Sequence, residues 1–549
     1  MEFKKNQIVE LYIDDIGNEG EGIGHIDGYA LFLKDAVIGD KVRAKIIKTK
    51  KNYGFARVEE VIEASKDRVS PRCSKARQCG GCTLQHLAYE KQLEYKFNKV
   101  KNCLERIGGL ENIEEKMEPI LGMEEPFYYR NKAQFPVGYD KEGNLITGFY
   151  AGRTHHIIDC THCMIQHPVN EQILLKVLDY MKKNNITAYD EKTHKGLVRH
   201  IVTRVGFKTG EIMVCLVVNG SKKNLRNLEM LVDSLTEVEG MTSICVNINK
   251  EKTNRILGSK IEEVYGKPYI YDYIGNVKYQ IGPLSFFQVN PTQTKVLYEK
   301  AMEYADLKGE ETVWDLYCGI GTISLFLAQK AKKVYGVEIV KEAIDDARLN
   351  AKMNGFDNAE FFVGKAEEVL PREYEKNGVY ADTIVVDPPR KGCDSKLLET
   401  MVKMAPKRIV YVSCDPATLA RDLKVLSEQG YEVEKVCAVD QFSHSSHVET
   451  VVLLSQQKPD DTIEIDLDLD ELDATSAELK ATYQEIKDYV LKEFGLKVSS
   501  LYISQVKRKC GIEVGENYNL PKTENPKVPQ CPKEKEDAIK AALKYFAMI

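Results

Sequence analysis

Between residues 291 and 455, short runs rich in β-branched residues alternate with stretches of helical periodicity. This alternation is typical of a doubly wound parallel sheet whose two faces are covered by helices. Three of the runs end in polar or glycine-rich corners, in the segments VWDLYCGIG (313–321), VYGVEI (334–339) and IVVDPPR (384–390). Because ligands bind at the carboxyl ends of the strands in such sheets, we expect the three corners to form one site.

The three corners together predict a site for S-adenosylmethionine. Gly319 and Gly321 allow the backbone to approach a ligand closely where a helix begins. Glu338, at the end of the next strand, is placed to bind ribose hydroxyls, and Asp387 follows the third strand. The corners lack the GxGxxG pattern of dinucleotide-binding folds. The pattern therefore favours a methyltransferase.

A fourth strand-to-helix corner, VSCDP (412–416), places Cys414 at the same edge of the predicted sheet. Carbon 5 of a pyrimidine is a weak nucleophile until a thiolate adds to carbon 6, and a base must afterwards remove the carbon 5 proton. Cys414 and Glu449, which directly precedes an apolar strand, fit these two roles. Taken alone, each residue has an ordinary alternative, as a structural cysteine or a solvated glutamate.

A second group of cysteines lies near the N-terminus. Cys73, Cys79 and Cys82 have the spacing C-x5-C-x2-C, with two glycines between the last two. A fourth thiolate is needed to close a four-sulfur site, and Cys160 and Cys163 are the nearest later candidates. Both a 4Fe–4S cluster and zinc accept four thiolates, so the spacing leaves the two alternatives open.

The length of 549 residues exceeds what one hydrophobic core supports, and the chain divides into four parts. We expect a multidomain α/β protein with four parts in this order: a small OB-like β-barrel (1–62), a central α+β domain with the cysteine group (63–290), a Rossmann-like methyltransferase domain (291–455) and a helical C-terminal extension (456–549).

Charge and hydropathy exclude a membrane-spanning protein but do not decide about RNA. No apolar run approaches the ~20 residues that span a bilayer, and the N-terminal segment lacks the apolar core of a signal peptide. We therefore expect a cytoplasmic protein, acting as a monomer. The net charge of −6 comes from the acidic segment 456–473, which alone carries −7. The remaining chain is nearly neutral, which neither supports nor excludes RNA binding.

Two segments have patterns that suit RNA. In the predicted barrel of five strands, Tyr53 and Phe55 lie among basic residues, as on surfaces that bind single-stranded RNA; these are Lys48, Lys50, Lys51 and Arg57. A plain solvated lysine face is the equal alternative. The tail segment 481–512 predicts a helix, a glycine turn and a serine-capped helix that ends in the basic residues 507–509. An RNA contact and a packing appendage both remain open for it.

The order of the motifs resembles the RNA uracil-5 methyltransferase family. The resemblance covers residues 1 to about 455 and is carried by FFQVN, DLYCGIGT, GVEIV, DPPRKG, YVSCDPATLARD and HVETVVLL. The N-terminal barrel resembles the TRAM domain of that family. The segments CSKARQCGGCTLQH and CTHCMIQ resemble its iron–sulfur segment.

The resemblance implies a role for each candidate residue. Cys414 would be the nucleophile and Glu449 the base that removes the proton. Four residues would bind S-adenosylmethionine: Gln288, Tyr317, Glu338 and Asp387. Four cysteines would hold a 4Fe–4S cluster: Cys73, Cys79, Cys82 and Cys163, the last preferred over Cys160 because it directly precedes MIQ. After the fourth strand of the sheet the family often has an acidic or amide residue, whereas this chain has Lys365. The resemblance therefore does not extend to an adenine contact at this position.

The resemblance also implies an RNA substrate, from which the target base is flipped into the site. We expect a uridine of 23S ribosomal RNA, with transfer RNA as the alternative. A cytosine-5 methyltransferase is the alternative enzyme; it needs an acid to protonate cytosine N3 and often has a second cysteine, for which Cys393 is the candidate, but the HVET segment favours uracil. A non-catalytic RNA-binding assembly factor would have lost the nucleophile, whereas Cys414 is present.

Overall fold

The computed structural model describes residues 3–457 except Arg77 and Arg153, then residues 483–512 and 531–546, and Met548. The chain forms two compact units, residues 1–458 and 459–549. Most of the acidic segment 456–473 lies outside the described residues. Of the helices described, none is both long and apolar enough to cross a membrane.

The first unit begins with a six-stranded sheet in the order β1-β5-β6-β4-β3-β2. Its strands are β1 (Ile8–Tyr12), β2 (Asp15–Ile16), β3 (Gly22–Ile26), β4 (Tyr29–Lys34), β5 (Lys41–Thr49) and β6 (Tyr53–Glu63). A Cβ atom on Gly24 of β3 would lie 2.3 Å from the Tyr12 carbonyl oxygen of β1, so the sheet curls back on itself. The prediction of five strands is wrong by one, because β2 has only two residues and leaves no alternating pattern.

A seven-stranded sheet follows, in the order β10-β9-β8-β11-β12-β13-β14. The elements of this part of the chain are α1 (Tyr89–Arg106), β7 (Met117–Leu121), β8 (Lys132–Tyr139), β9 (Leu145–Tyr150), β10 (Ile157–Asp159), α2 (Val169–Lys183), β11 (Val198–Val205), β12 (Ile212–Val218), α3 (Leu228–Thr236), β13 (Met241–Ile248) and β14 (Lys260–Tyr265). Helices α2 and α3 pack on one face of the sheet, where Ile173 and Leu231 are fully buried beside Phe135.

The third sheet has eight strands in the order β19-β18-β17-β20-β21-β23-β22-β7. Its part of the chain contains β15 (Ile270–Ile274), β16 (Val277–Ile281), α4 (Pro291–Ala305), β17 (Thr312–Leu316), α5 (Thr322–Ala328), β18 (Lys333–Glu338), α6 (Lys341–Asn354), β19 (Ala359–Val363), α7 (Ala366–Asn377), β20 (Thr383–Val386), α8 (Ser395–Met404), β21 (Arg408–Ser413), α9 (Pro416–Glu428), β22 (Tyr431–Val439) and β23 (Glu449–Gln456). Strands β17 to β21 are parallel, as predicted, and β23 runs antiparallel to β21 and β22.

The boundary predicted at residue 290 does not separate the second and third sheets cleanly. Strand β7 pairs in parallel with β22 at the edge of the third sheet. Val100 and Leu104 of α1 are buried in one cluster with Leu419 and Ala420 of α9. Because an exposed sheet edge is a liability, β7 completes the sheet by covering the outer side of β22.

The second unit contains α10 (Tyr483–Phe494), α11 (Ser500–Lys509) and α12 (Lys533–Tyr545). The Ser499 hydroxyl accepts a hydrogen bond from the Tyr502 amide at 3.3 Å, so α11 begins at a serine cap as predicted. The Lys507 ammonium lies 4.6 Å from the centre of the Tyr483 ring, and Lys509 pairs with Glu536 at 2.7 Å. Two of the three basic residues at the end of α11 are therefore engaged within this unit, which favours the packing alternative.

Candidate active site

A cavity of about 740 Å³ opens at the carboxyl edge of the parallel strands in the third sheet. All six residues predicted to act on the cofactor or the substrate line it; these are Gln288, Tyr317, Glu338, Asp387, Cys414 and Glu449. They are far apart in sequence, but each lies at or just beyond a strand end or in the segment before α4. The topology predicted from the alternating pattern therefore brings these side chains to one site.

The corner after β17 is held to the neighbouring strand. The amides of Tyr317 and Cys318 both donate to the Val337 carbonyl at 2.9 Å, next to Glu338. Tyr317 has a φ of 71° and Gly321 a φ of 81°, both in the left-handed region. A Cβ atom on Gly321 would lie 3.2 Å from both Ala347 Cβ and the Phe361 ring, so the turn requires glycine on grounds of space as well as backbone angle.

Two buried carboxyl groups interact at the site, and one of them, Asp387, lines the cavity. Asp315 is fully buried in β17, and burial raises its pKa to about 7 although the Ser324 hydroxyl donates to it. Burial and the charge of Asp315 likewise raise the pKa of Asp387 to about 7. Because two nearby buried carboxyls resist holding two negative charges, this part of the site favours a cationic ligand.

Cys414 and Glu449 lie at the adjoining ends of two neighbouring strands. Ser413 of β21 pairs with Thr450 of the antiparallel β23; Cys414 directly follows Ser413, and Glu449 directly precedes Thr450. The side chain of Glu449 is 3% exposed, and burial together with Asp387 raises its pKa to about 8. Burial, Glu449 and Asp387 raise the pKa of the Cys414 thiol to about 11.

The cysteine corner is built by a helix cap. The Asp415 carboxylate accepts hydrogen bonds from the amides of Ala417 and Thr418 at 3.0 and 3.2 Å, and Pro416 is the first residue of α9. A capping aspartate followed by proline starts a helix abruptly. The chain therefore turns immediately after Cys414, which leaves the thiol half-buried at the lip of the cavity.

The loop after β20 is pinned to the same helix. The Thr418 hydroxyl donates to the Arg390 carbonyl at 3.1 Å, and Arg421 donates to the Lys391 carbonyl at 2.8 Å. Arg390 lies in the cavity wall, where its charge opposes the raised pKa values of Cys414 and Glu449. Cys393 is 7% exposed and does not line the cavity, so the structure does not place a second thiol beside the first.

The five cysteines of the predicted iron–sulfur segment line a separate cavity of about 390 Å³: Cys73, Cys79, Cys82, Cys160 and Cys163. Burial raises the pKa of the Cys82 thiol to about 12 and that of the Cys163 thiol to about 11, and the charges of the neighbouring cysteines act in the same direction. In the described part of the chain, no three His, Cys, Asp or Glu side chains converge as ligands of a single metal ion. The sequence prediction that these cysteines lie together therefore agrees with the cavity, whereas what they bind is a separate question.

Comparisons with known proteins place the chain in a family. The sequence model described as tRNA (uracil-5-)-methyltransferase matches residues 88–457, and the TRAM domain model matches residues 2–58. The chain belongs to this methyltransferase family. It is therefore an RNA (uracil-5-)-methyltransferase by family, with a TRAM domain at its N-terminus.

Relatives support the same assignment. A protein of Clostridium tetani described as an uncharacterized RNA methyltransferase is 53% identical over 453 residues, which are 82% of this chain and 97% of the relative. One from Halalkalibacterium halodurans, described likewise, is 52% identical over 451 residues, with the same coverage. The solved tRNA (uracil-54, C5)-methyltransferase of Pyrococcus abyssi, in complex with S-adenosyl-L-homocysteine, is 29% identical with a TM-score of 0.66 and covers 81% of this chain and 100% of its own.

Several residues of this methyltransferase cavity escaped the sequence analysis. Phe286, Arg390, Phe442 and His447 line the cavity beside the predicted residues. Phe286 and Arg390 belong to the quoted motifs FFQVN and DPPRKG. Their membership in these motifs is the sequence signal that could have identified them. His447 likewise begins the quoted motif HVETVVLL, whereas Phe442 lies in a loop whose path no local pattern predicts. Lys365 also lines the cavity and pairs with Glu368 at 3.1 Å.

Proposed function

We propose that this enzyme methylates carbon 5 of a uridine in RNA, with Cys414 as nucleophile and Glu449 as proton-abstracting base. The observation that carries the proposal is that Cys414 and Glu449, at the adjoining ends of β21 and β23, line the same cavity as Asp387. A thiol alone at this corner would be compatible with many functions. A thiol close to a buried carboxyl supports a reaction by addition followed by elimination.

The cavity fits S-adenosylmethionine. Its volume is within the usual range of roughly 300–1,000 Å³ for ligand sites. The buried carboxyls of Asp315 and Asp387 suit a cofactor that carries positive charge on its sulfonium and ammonium groups. Four residues of the wall would hold the cofactor: Gln288, Tyr317, Glu338 and Asp387. When bound, the cofactor supplies an electrophilic methyl group.

The protein residues would act in sequence on the base. The Cys414 thiol rests protonated, so it releases its proton to solvent as the sulfur attacks carbon 6. The electron pair of the C5–C6 double bond then moves toward carbon 5, which becomes nucleophilic and takes the methyl group. After carbon 5 has been methylated, the Glu449 carboxylate takes the carbon 5 proton. The electron pair of that C–H bond then forms the C5–C6 double bond, and the C6–S bond breaks to release the thiolate. The pKa of Glu449, about 8, is close to the working pH, as suits a general base.

We propose 23S ribosomal RNA as the substrate class. The barrel surface supports RNA contact, since Tyr53 and Phe55 are 40% and 39% exposed and their ring centres lie 5.7 Å apart. Exposed aromatic rings among lysines provide stacking surfaces for unpaired bases. Transfer RNA is the second candidate, favoured by the similarity to a solved tRNA (uracil-54, C5)-methyltransferase.

One experiment tests both the base and the RNA class. Purified ribosomal RNA and transfer RNA that lack the modification would be incubated with the enzyme and labelled S-adenosylmethionine, and the labelled nucleoside would be identified by mass spectrometry. We expect 5-methyluridine in 23S ribosomal RNA. Label in transfer RNA alone would refute the substrate class, 5-methylcytidine would refute the reaction, and no label in any RNA would favour a non-catalytic factor.

We also propose that four cysteines bind a 4Fe–4S cluster: Cys73, Cys79, Cys82 and Cys163. In such a cluster each cysteine binds its own iron, so the four sulfurs surround a volume rather than one point. The support for this proposal is that five cysteines line one cavity. Cys160 is the less suitable fourth ligand because its thiol already donates to the His162 carbonyl at 3.4 Å. Iron and sulfide in anaerobically purified protein would support the cluster, and stoichiometric zinc would refute it.

A further inference from the structure

The loop between β22 and β23, residues 440–447, forms part of the wall between the two cavities. Phe442 and His447 line both the methyl-transfer cavity and the cysteine cavity, as does Arg390 from the loop after β20. Glu449 follows two residues after His447 and opens β23. This loop therefore leads directly into the strand residue that carries the proposed base, and its path contributes to the position of the Glu449 carboxyl.

The cysteine segment holds this loop at its middle. The amides of Thr83 and Leu84, directly after Cys82, both donate to the His444 carbonyl, at 2.8 and 3.0 Å. His444 has a φ of 64°, a left-handed conformation that is unfavourable for a residue other than glycine. Such a conformation persists only where surrounding contacts fix it, and these two hydrogen bonds are such contacts.

Helix α1 also contacts His444, through Gln92. The side-chain amide of Gln92 accepts from the His444 amide at 3.1 Å and donates to His444 Nδ1 at 3.2 Å. Burial lowers the pKa of His444 to about 4, so the imidazole is neutral and its Nδ1 can accept. Gln92 Nε2 also lies 3.0 and 2.8 Å from the carbonyl oxygens of Leu84 and Leu87, so its two hydrogens are shared among three acceptors. One side chain thus joins the cysteine segment to the loop.

Tyr129 provides a second connection between the cysteine cavity and the loop. The Tyr129 hydroxyl donates to the Ser443 carbonyl at 3.1 Å, and Tyr129 itself lines the cysteine cavity. The next residue, Arg130, donates its amide to the Ile165 carbonyl two residues after Cys163. Both halves of the cysteine set are therefore connected to residues 440–447 by short hydrogen bonds.

We infer that Gln92 and Tyr129 are positioning residues for Glu449: they tie the loop 440–447 to the cysteine segment and thereby hold the base in line with the carbon 5 proton. This inference rests on the proposed function. Its consequence is specific to one step, because addition of the Cys414 thiolate and methyl transfer precede the proton abstraction. Loosening the loop should slow elimination while leaving formation of the covalent enzyme–RNA adduct intact.

The test separates the two steps in the full-length, iron-reconstituted protein. The variant Gln92→Leu keeps the side-chain volume but removes both bonds to His444, and Tyr129→Phe removes a single hydroxyl with little risk to folding. Two controls remove comparable bonds elsewhere. Asn247→Leu removes a buried amide that bonds the Gly258 backbone at 2.7 and 2.8 Å, and Tyr431→Phe removes a hydroxyl that donates to Pro406 at 2.9 Å.

The readout is the covalent adduct between enzyme and radiolabelled RNA, trapped by denaturation at successive times after mixing. In Gln92→Leu we expect adduct formation within about twofold of the parent and adduct decay slowed about tenfold or more, since a misplaced general base loses much of its effect. We expect Tyr129→Phe to slow decay in the same direction and the controls to decay as the parent does.

Two results would overturn the inference. Unchanged decay in Gln92→Leu and Tyr129→Phe would show that the ties do not position the base, and an equal loss of formation and decay would show a general structural role. Failure of the proposed function looks different, since the parent enzyme itself would then form no adduct with ribosomal or transfer RNA.

Discussion

The raised pKa of Glu449 predicts that the enzyme is less stable at high pH than a variant without this carboxyl. In the folded protein its pKa is about 8, whereas the ordinary value is 4.5. Between these two values the unfolded chain ionises the carboxyl and the folded chain does not. Folding therefore becomes less favourable by about 1.4 kcal/mol for each pH unit, to a total of about 5 kcal/mol at most.

The variant Glu449→Gln isolates this effect, because glutamine resembles the protonated carboxyl and does not titrate. Trp314 is the sole tryptophan of the chain and is fully buried in β17, so its fluorescence reports unfolding of the sheet that holds Glu449. Urea unfolding of parent and variant would be followed at pH 5, 6, 7, 8 and 9. We expect the variant's advantage to grow up to about pH 8 and then to level off.

The control Glu311→Gln lies close to the same reporter. Although burial opposes it, hydrogen bonds from the amides of Lys308, Glu310 and Gly309 hold the pKa of Glu311 below its ordinary value. Its contribution to stability is therefore complete above pH 5, and the difference from parent should stay flat over the whole titration. A flat difference for Glu449→Gln as well would refute a raised pKa and with it the description of Glu449 as a buried base.

Three further predictions follow from contacts in the first unit. Cys414→Ala should abolish both the covalent adduct and methyl transfer, as measured by denaturing gels and label incorporation; retained turnover would contradict the nucleophile. Lys96→Met should lower the free energy of unfolding by about 3–5 kcal/mol, because it removes the cation that lies 2.5 Å from the buried Asp440 carboxylate. Urea unfolding measures this change, and Lys101→Met is the control because the Lys101 ammonium pairs with an exposed glutamate. Replacing both Tyr53 and Phe55 by alanine should weaken binding of single-stranded RNA by about 1–3 kcal/mol for each lost stack, measured by fluorescence anisotropy; unchanged affinity would remove the barrel from the RNA path.

The parallel sheet and most of the site could be predicted because each functional residue follows a local signal. Glu338 ends a strand, Asp387 follows one, and Cys414 stands before an aspartate–proline cap that marks a helix start. Carboxyl ends of parallel strands share an edge, so the alternating pattern alone indicates that these residues meet. Glu449 could be added because it directly precedes an apolar run and supplies the base that the chemistry needs; the antiparallel direction of β23, which brings it to that edge, is known only from the structure.

The parts that sequence could not predict depend on contacts between distant residues. Strand β7 lies more than 300 positions before its partner β22, and nothing in its five residues indicates the sheet it joins. The ties of His444 to Gln92 likewise join positions 352 apart. Phe442 lines the cavity from the loop that holds His444, so only the folded chain shows it as part of the site.

The electrostatics of the cavity connect stability to the proposed chemistry. Three carboxyls at or near the cavity, Asp315, Asp387 and Glu449, have pKa values raised to about 7 or 8. A cationic cofactor beside Asp387 would favour its ionised form and remove part of the unfavourable energy of burial, so the cofactor should stabilise the sheet as it binds. Glu449 must be ionised before it can take the carbon 5 proton, and the positive charge of the cofactor would also favour its ionised form. After the methyl group has left the sulfonium, the cofactor no longer carries that positive charge. Glu449 then takes the carbon 5 proton, and this proton neutralises one of the negative charges that remain in the cavity.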